Sequence, residues 1–306
     1  MLKNLFSRSS EKTGKSEGGH SFLQETTEKW SIGIYQGEAP FQIQPCRKAS
    51  NPVLSAADVT DADASFVADP FMIRHKSFWY MFFEADVRRK EDSIGKIGLA
   101  TSPDGLEWQY KQIVLEEEHH LSYPYIFKYK NDIYMVPETR SIRSVNLYKA
   151  ADFPYKWVFL QTMIKGKRFA DNSFFRFGGL WWFFTDSGNA TLRLYYAENL
   201  FSAKWKEHPK SPVVIKDNSM ARPGGRVVVY NGRPIRFAQD GLCGYGSRVR
   251  GFEIETLTRA DYREREIPGS VVGASGEGWN RSGMHTVDSH QISGNHWFVC
   301  VDGLGG

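Results

Sequence analysis

The stretch ADPFMIRHKSFWYMFFE, residues 68–84, has the pattern of a β-hairpin. Two apolar arms flank the polar HKS segment, and the second arm is rich in aromatic residues, which favour pleated, half-buried surfaces. An acid, Glu84, closes the stretch. The segment therefore predicts two antiparallel strands joined by a short polar turn.

The same layout recurs four more times along the chain. The recurrences are SYPYIFKYKNDIYMVPE (122–138), ADNSFFRFGGLWWFFTD (170–186), ARPGGRVVVYNGRPIRFAQD (221–240) and VDSHQISGNHWFVCVDG (287–303). The opening residue precedes the terminal acid by 15, 15, 15, 18 and 14 positions, from Asp69–Glu84 in the first hairpin to Asp288–Asp302 in the last. After each of the first four hairpins comes a third apolar strand, and an aromatic residue then starts a fourth. Four strands repeating about every fifty residues are typical of a β-propeller blade.

The fifth hairpin ends near the last residue, Gly306, so its two missing strands must come from elsewhere in the chain. Residues 31–35, SIGIY, and 41–44, FQIQ, have the character of these strands. We therefore predict an all-β fold, a five-bladed β-propeller over residues 30–306 whose last blade is closed by N-terminal strands. Residues 1–29 are expected to form a disordered polar leader. The alternative, two unrelated β-sandwiches, leaves the regular hairpin spacing unexplained.

Composition excludes several classes of protein. Among the 306 residues, 39 Lys and Arg oppose 35 Asp and Glu, and a net charge of +4 is too small to predict a nucleic-acid partner. Three cysteines far apart do not indicate a disulfide scaffold or a cysteine-ligated zinc site, and they fit a reducing, cytoplasmic location. No apolar run is long enough for a transmembrane segment, and the N-terminus lacks the apolar core of a signal peptide.

In a propeller the first strand of each blade lines the central channel, so polar residues at those strand starts are candidates for a binding site. They are Asp69, Tyr123, Asp171 with Asn172, Arg222, and Asp288 with His290. The alternative is structural, because acids at strand starts often cap turns. The acids that end the hairpins recur in all five blades, which indicates bonding to neighbouring backbone amides. Glu138 in the segment PETRS remains a candidate site residue.

The arrangement of these motifs resembles two known groups of proteins. A five-bladed propeller with Asp69-Pro70 opening its first blade resembles the arabinanase, β-xylosidase, levansucrase and invertase superfamily of glycoside hydrolases. The phrases VADPFMI, WYMFFE and GKIGLATSPDGLEW, followed by LSYPYIF and YMVPET, are more closely similar to a propeller domain of plant glucosamine inositolphosphorylceramide transferases and its bacterial relatives. In the plant proteins that domain precedes a glycosyltransferase domain.

The hydrolase resemblance implies roles for individual residues. It implies that Asp69 is the base or nucleophile and that Asp171 orients the sugar and tunes pKa values. The family's general-acid glutamate is missing, because blade four opens with Arg222 instead. The proton would then come from Glu138 or from His290, since a histidine can act as a general acid near neutral pH. Arg222 suits an anionic sugar or a phosphate.

The sequence therefore predicts a carbohydrate-active propeller, a glycoside hydrolase acting on a microbial surface glycan or oligosaccharide, with an anionic sugar as one candidate component. The alternative is a propeller that binds glycan without cleaving it and assists a glycosyltransferase. Trp279 could stack on a sugar or fill the core. No cofactor is required, although Asp288 and His290 could hold a divalent cation such as Ca²⁺.

Overall fold

The computed structural model describes residues 29–306, and these form five four-stranded antiparallel sheets. Blade I contains β3 (Ala64–His75), β4 (Phe78–Arg88), β5 (Ser93–Ser102) and β6 (Gln109–Leu115). Blade II contains β7 (Ser122–Tyr129), β8 (Asp132–Thr139), β9 (Ser144–Asp152) and β10 (Lys156–Lys165). Blade III contains β11 (Ala170–Phe177), β12 (Leu180–Asp186), β13 (Leu192–Ala197) and β14 (Lys206–Glu207).

The last two blades are less regular. Blade IV contains β15 (Val228–Tyr230), β16 (Arg233–Asp240), β17 (Arg248–Leu257) and β18 (Tyr262–Gly273). Blade V combines β19 (Val287–Ser293) and β20 (His296–Gly305) with β1 (Lys29–Ala39) and β2 (Gln42–Pro45). Three single-turn 3-10 helices complete the described elements, at Ala56–Asp58, Arg140–Ile142 and Gly278–Asn280.

The ring closes as the sequence predicts. Strand β1 pairs with β20 over nine residues, from Lys29 opposite Gly305 to Gly37 opposite Trp297. The N-terminal strands thus complete the last blade, and each end of the chain covers an edge that the other would leave open. The predicted five-bladed, all-β fold is confirmed. The expected disordered leader lies outside the described residues, apart from Lys29, which begins β1.

Alternation of side chains places an aromatic core between the blades. Between blades I, II and III the core includes Phe82, Tyr125, Phe174 and Phe183, all with at most 2% of their surface exposed. Rings of this size contribute much of the apolar area that stabilises such a fold. The five sheets therefore hold the starts of their first strands at fixed positions around the axis.

Blades IV and V approach each other very closely at the axis. Gly225 forms a parallel bridge with Val287, and a Cβ atom at Gly225 would lie 1.8 Å from the carbonyl oxygen of Val287. Its φ of 145° also disfavours any other residue. The glycines after Arg222 are thus required by blade packing. Among residues 29–306 no helix has the length and apolar character needed to cross a bilayer.

Candidate functional site

The first strands of blades I, II and III share a distinctive backbone conformation at the predicted site positions. Asp69, Tyr123 and Asp171 have φ values of 50°, 45° and 53°, in the left-handed region that residues other than glycine rarely adopt. At each of them the pairing register with the second strand shifts, as in a β-bulge. The three residues therefore occupy equivalent points of the fold, as their spacing predicts.

The first strand of blade V, β19, has no such bulge where it begins. Asp288 pairs with Cys300, whereas the residue at the same level of blade I is Phe71, which pairs with Phe82. Asp288 therefore lies further along its strand than Asp69 does. The blade V residues that stand beside Asp69 are instead His285 and Thr286, which precede β19.

Acids at the ends of the second strands fasten neighbouring blades together. Oδ2 of Asp302 accepts a hydrogen bond of 3.1 Å from the backbone N–H of Asp69, and Oε2 of Glu138 accepts one of 3.1 Å from that of Asp171. Asp302 also binds its own blade, because Oδ1 accepts from the N–H groups of His285 and Thr286 at 2.9 Å each. At Asp302 the bonding to neighbouring backbone amides that the sequence indicates is confirmed. Glu138, which the sequence keeps as a candidate site residue, forms a bond of the same kind.

Six polar residues cluster around the propeller axis, and we call this cluster the funnel: Asp69, Glu138, Asp171, Arg222, Tyr245 and His285. Asp69 has only 4% of its surface exposed. The hydroxyl of Thr286 donates to its Oδ1 at 2.7 Å. Burial above all, with smaller contributions from the carboxylates of Asp171, Glu84 and Asp302, raises the pKa of Asp69 to about 7 against the opposing cation of His285. This carboxyl can therefore take up or release a proton near neutral pH.

His285 supplies the positive charge beside Asp69. Its Nδ1 lies 2.7 Å from Oδ2 of Asp302 and its Nε2 lies 3.5 Å from Oδ1 of Asp69. The ring centroid is 4.1 Å from that of Trp30 and 5.4 Å from that of the exposed Tyr245. Burial alone would lower the pKa of His285, but Asp302 and then Asp69 outweigh it and raise the pKa to about 9. The imidazole is thus protonated at neutral pH.

Asp171 and Arg222 form an ion pair across the funnel, from Nε of Arg222 to Oδ2 of Asp171. Gln239 donates to the same oxygen at 2.8 Å. The guanidinium carbon of Arg222 lies 5.2 Å from the ring centroid of Tyr245, and the side chain keeps 27% of its surface exposed. Within residues 29–306 the guanidinium hydrogen-bonds through Nε alone, so its terminal N–H groups are available to a ligand.

Several buried polar atoms beside this ion pair have no hydrogen-bond partner in the described part of the chain. They are Oδ1 of Asp171, Oε1 of Gln239, and both side-chain polar atoms of Asn172. Buried polar groups are nearly always hydrogen-bonded, so such atoms mark places for water or for ligand hydroxyl groups. They lie next to the carboxylate that the sequence assigns to sugar orientation.

Glu138 is the third buried carboxyl group of the funnel, beside Asp69 and Asp171. Burial and then the neighbouring carboxylate of Asp171 raise the pKa of Glu138 well above its usual range, although Arg222 opposes the shift. Burial and Asp171 thus favour the protonated form of Glu138, while the arginine pairs with Asp171. A protonated carboxyl beside an ionised one is the arrangement that general acid catalysis needs.

The side chain of Tyr123 extends from blade II to residues of blades III and IV. It is fully buried, its ring centroid lies 4.6 Å from that of Phe71 in blade I, and its hydroxyl hydrogen-bonds with Ser173 of blade III at 2.9 Å. The same hydroxyl accepts from the N–H of Gly225 in blade IV at 2.6 Å. Tyr123 thus links four blades at the centre of the propeller.

Asp288 and His290 belong to a second buried network, at the level of Phe71. Asp288 accepts from Nε of Arg226 at 2.5 Å, from the N–H of Met72 at 2.7 Å, and lies 2.8 Å from Nε2 of His290. Burial would raise the pKa of Asp288, but Arg226 and then His290 lower it to about 2. None of these contacts involves Asp69, Glu138, Asp171 or Arg222.

Trp279, a further sequence candidate, lies outside the funnel. Its ring packs against the backbone of blade V, since a Cβ atom added at Gly33 or Gly303 would be 2.5 Å from it. Of the nine candidates, the structure brings together Asp69, Glu138, Asp171 and Arg222, with Asn172 adjoining. Sequence reasoning missed the residues contributed by other segments: Trp30, Gln239, Tyr245, His285, Thr286 and Asp302.

Within residues 29–306, two groups of histidine and carboxylate side chains have the proximity of metal ligands, with ligand atoms within 4.8 Å of one another: Asp69, His285 and Asp302; and Glu84, Asp86 and His120. In the second group the N–H of Gly95 donates to Nδ1 of His120 at 2.9 Å. Nε2 therefore carries the proton of the neutral ring, 3.0 Å from Glu84, and offers no lone pair to a metal. The divalent cation expected at Asp288 and His290 stays a prediction.

Known structures share the fold. β-1,2-mannobiose phosphorylase from Listeria innocua has a TM-score of 0.63 at 9% identity, over 88% of this chain and 96% of that one. The α-L-arabinanase of Cellvibrio cellulosa, solved with arabinohexaose, has a TM-score of 0.56 at 15% identity, over 79% and 91% of the two chains. At these identities the likeness is one of fold.

Sequence comparison is more specific. Curated relatives named glucosamine inositolphosphorylceramide transferase 1 are 33% identical over 299 residues in Oryza sativa subsp. japonica and 35% identical over 302 residues in Arabidopsis thaliana. Each match covers 90% of this chain but only 40% and 39% of the relative. The chain spans about two fifths of the length of these relatives. Residues 23–304 match the family described as "Glucosamine inositolphosphorylceramide transferase 1, N-terminal", and the chain belongs to that family.

Proposed function

We propose that the funnel binds a sugar residue and that the protein cleaves a glycosidic bond of a microbial surface glycan or oligosaccharide. The observation that carries this proposal is the cluster of three buried carboxyl groups at the axis: Glu138 accepts a hydrogen bond from the backbone N–H of Asp171, and the carboxylate of Asp171 helps to raise the pKa values of both Glu138 and Asp69. The unpartnered oxygens of Asp171 and Gln239 support a ligand rich in hydroxyl groups, because hydroxyls can donate to both.

Glycoside hydrolysis uses two carboxyl groups that flank the bond, one protonated and one ionised. We assign Glu138 as the proton donor, because burial and the neighbouring Asp171 favour its protonated form. Asp69 is the base or nucleophile, and its pKa of about 7 lets the ionised form be present near neutral pH. Asp171, held by Arg222 and Gln239, orients the sugar.

Arg222 selects a substrate with an anionic substituent. A guanidinium binds a carboxylate or phosphate through two parallel hydrogen bonds, and its terminal N–H groups are available for this. Tyr245 beside it is 59% exposed and offers a flat face to the ligand. The anionic group would therefore lie beside Arg222 and Tyr245.

A second function is favoured by the identity of the residue that opens blade IV. An arginine stands where the hydrolases of the resembled superfamily have their acid, so the funnel could bind glycan without cleaving it. The matched relatives carry further sequence beyond this domain and are named as transferases. In this alternative the propeller presents an acceptor glycan to a glycosyltransferase.

Proton NMR distinguishes the two functions. The purified protein is mixed with acidic microbial polysaccharides and oligosaccharides, beside an Asp69→Asn variant and an Asp92→Asn control, whose carboxylate is exposed in a turn. New anomeric signals from the wild type and the control, but not from Asp69→Asn, are expected for the hydrolase. Broadening of glycan signals by all three proteins without new products would support the binding module instead. A large loss of melting temperature in Asp69→Asn would mark that residue as structural.

A further inference from the structure

A separate pocket of about 230 Å³ lies between blades V and I, at the opposite end of the strands from the funnel. Arg74 and Trp79 flank the turn between β3 and β4, five and ten residues along the chain from Asp69. A strand rises about 3.3 Å per residue, so Arg74 stands roughly 16 Å from the level of Asp69. The pocket is therefore distinct from the funnel, and a ligand can occupy it whether or not the funnel is catalytic.

The floor of this pocket is apolar and aromatic. Trp79, Phe298 and Cys46 line it and are at least 94% buried. The ring centroids of Trp79 and Phe298 are 5.6 Å apart. Ile292 also lines the pocket with 39% of its surface exposed. Such a surface gains free energy when an apolar body covers it.

The rim of the pocket is cationic. Lys48 and Arg74 both line it, and neither has an acidic partner among residues 29–306. The guanidinium carbon of Arg74 lies 5.9 Å from the ring centroid of Trp79, so the charge stands directly over the aromatic floor. The exposed His296 lies on the same rim.

Asp104 is the single acid in the pocket lining, and its carboxylate already accepts hydrogen bonds from its own turn. Oδ1 of Asp104 accepts hydrogen bonds from the N–H of Leu106 at 2.8 Å, from that of Glu107 at 3.2 Å, and from the hydroxyl of Ser102 at 3.0 Å. The bond from Leu106, more than the others, lowers the pKa of Asp104. This carboxylate serves to close its turn and does not pair with Lys48 or Arg74.

We propose that this pocket is a second binding site and that its ligand is a phosphate monoester on a small apolar body. Two cations without acidic partners match the two negative charges of a phosphate monoester, and the fork of Arg74 suits its oxygens. The aromatic floor takes the apolar body. The volume is below that of pockets for drug-sized ligands, which start at about 300 Å³, and this limits the body to about one ring.

The test uses phenyl phosphate as the probe and the indole N–H signal of Trp79 as the reporter, assigned with a Trp79→Phe variant. Saturable movement of the Trp79 signal is expected. Inorganic phosphate and phenol, which each supply half of the probe, should bind at least about tenfold more weakly. Benzoate, with one negative charge, should lie between them and phenyl phosphate.

Charge variants complete the experiment. Arg74→Gln and Lys48→Gln should each weaken phenyl phosphate binding at least about fivefold, whereas Arg47→Gln, which removes an exposed cation next to Lys48 but outside the lining, should not. All three residues are exposed, so the melting temperature should stay unchanged. The proposal is overturned if the Trp79 signal does not saturate, if Arg74→Gln binds like Arg47→Gln, or if the ligand moves the Trp30 signal of the funnel instead.

Discussion

Nε2 of His285 lies 3.5 Å from Oδ1 of Asp69, on the seam where the last blade meets the first. The imidazole lies between Asp302, whose Oδ2 is 2.7 Å from Nδ1, and the ring of Trp30, whose centroid is 4.1 Å away. The charge of the proposed base is thus set by a residue that enters from the opposite end of the chain. The titrations of His285 and Asp69 are therefore coupled: adding or removing a proton at one changes the pKa of the other.

His285→Gln should raise the pKa of Asp69 above its value of about 7. The cation lowers this pKa, so its loss leaves burial and the neighbouring carboxylates unopposed. Carbon-13 NMR of aspartate carboxyl groups measures the titration, and the Asp69→Asn spectrum assigns the signal. His296→Gln, an exposed histidine, is the control. An Asp69 pKa that stays constant or falls would show that His285 does not control it.

Asp288 should support stability in a pH-dependent way. Its pKa of about 2 lies below the ordinary 3.8, so its contribution is complete above about pH 4 and is lost as the pH falls towards 2. The shift corresponds to roughly 2 kcal/mol. Asp288→Asn also leaves Arg226 buried without its carboxylate, for which a loss of about 3–5 kcal/mol at pH 7 is typical.

Urea unfolding at pH 7, 4 and 2.5 checks this prediction, with Asp92→Asn as the matched control. The difference between wild type and Asp288→Asn should be largest at pH 7 and should narrow below pH 4. A difference below about 1 kcal/mol at pH 7, or one independent of pH, would contradict the ion-pair network of Asp288 and Arg226.

The architecture could be predicted from the sequence because each blade repeats one hairpin. Period-two alternation and aromatic arms survive in all five copies, and strand β1 even begins one residue before the predicted propeller boundary, at Lys29. Ring closure could be predicted for a simple reason, since the fifth hairpin lacks its outer strands. Local patterns of this kind need no knowledge of tertiary contacts.

The site could be predicted only where the repeat is regular. Asp69 and Asp171 share a bulge and the same 15-residue spacing to their terminal acids, so aligning the repeats placed both correctly on the axis. Blade V lacks that bulge, and its 14-residue spacing was the signal that Asp288 is not the equivalent residue. Tyr245 and His285 come from irregular segments before or between strands, where no periodicity positions a side chain.

Arg222 variants should separate charge from geometry in ligand binding. Arg222→Lys keeps the positive charge but loses the planar fork and the Nε bond to Asp171, so affinity for an acidic oligosaccharide should fall about tenfold. Arg222→Met removes the charge as well, and a loss of about 100-fold is expected. Affinity for a neutral oligosaccharide should change less in both variants.

Isothermal titration calorimetry with matched acidic and neutral oligosaccharides measures these affinities. Arg263→Met serves as the control, because that side chain is 71% exposed on the outer strand of blade IV. Equal losses for acidic and neutral ligands would indicate that Arg222 acts by holding Asp171 in place, and recognition of an anionic group would then have to be abandoned.

Tyr123→Phe should destabilise the fold, because the hydroxyl forms buried hydrogen bonds with Ser173 and Gly225 at the centre of the propeller. Without it the N–H of Gly225 loses its acceptor at 2.6 Å in a fully buried position. An unsatisfied buried donor costs about 1–3 kcal/mol. Tyr245→Phe removes a hydroxyl from a residue that is 59% exposed and should cost little. Chemical denaturation compares the two variants. If Tyr123→Phe were as stable as the wild type while oligosaccharide affinity fell, the ring would be part of the binding surface.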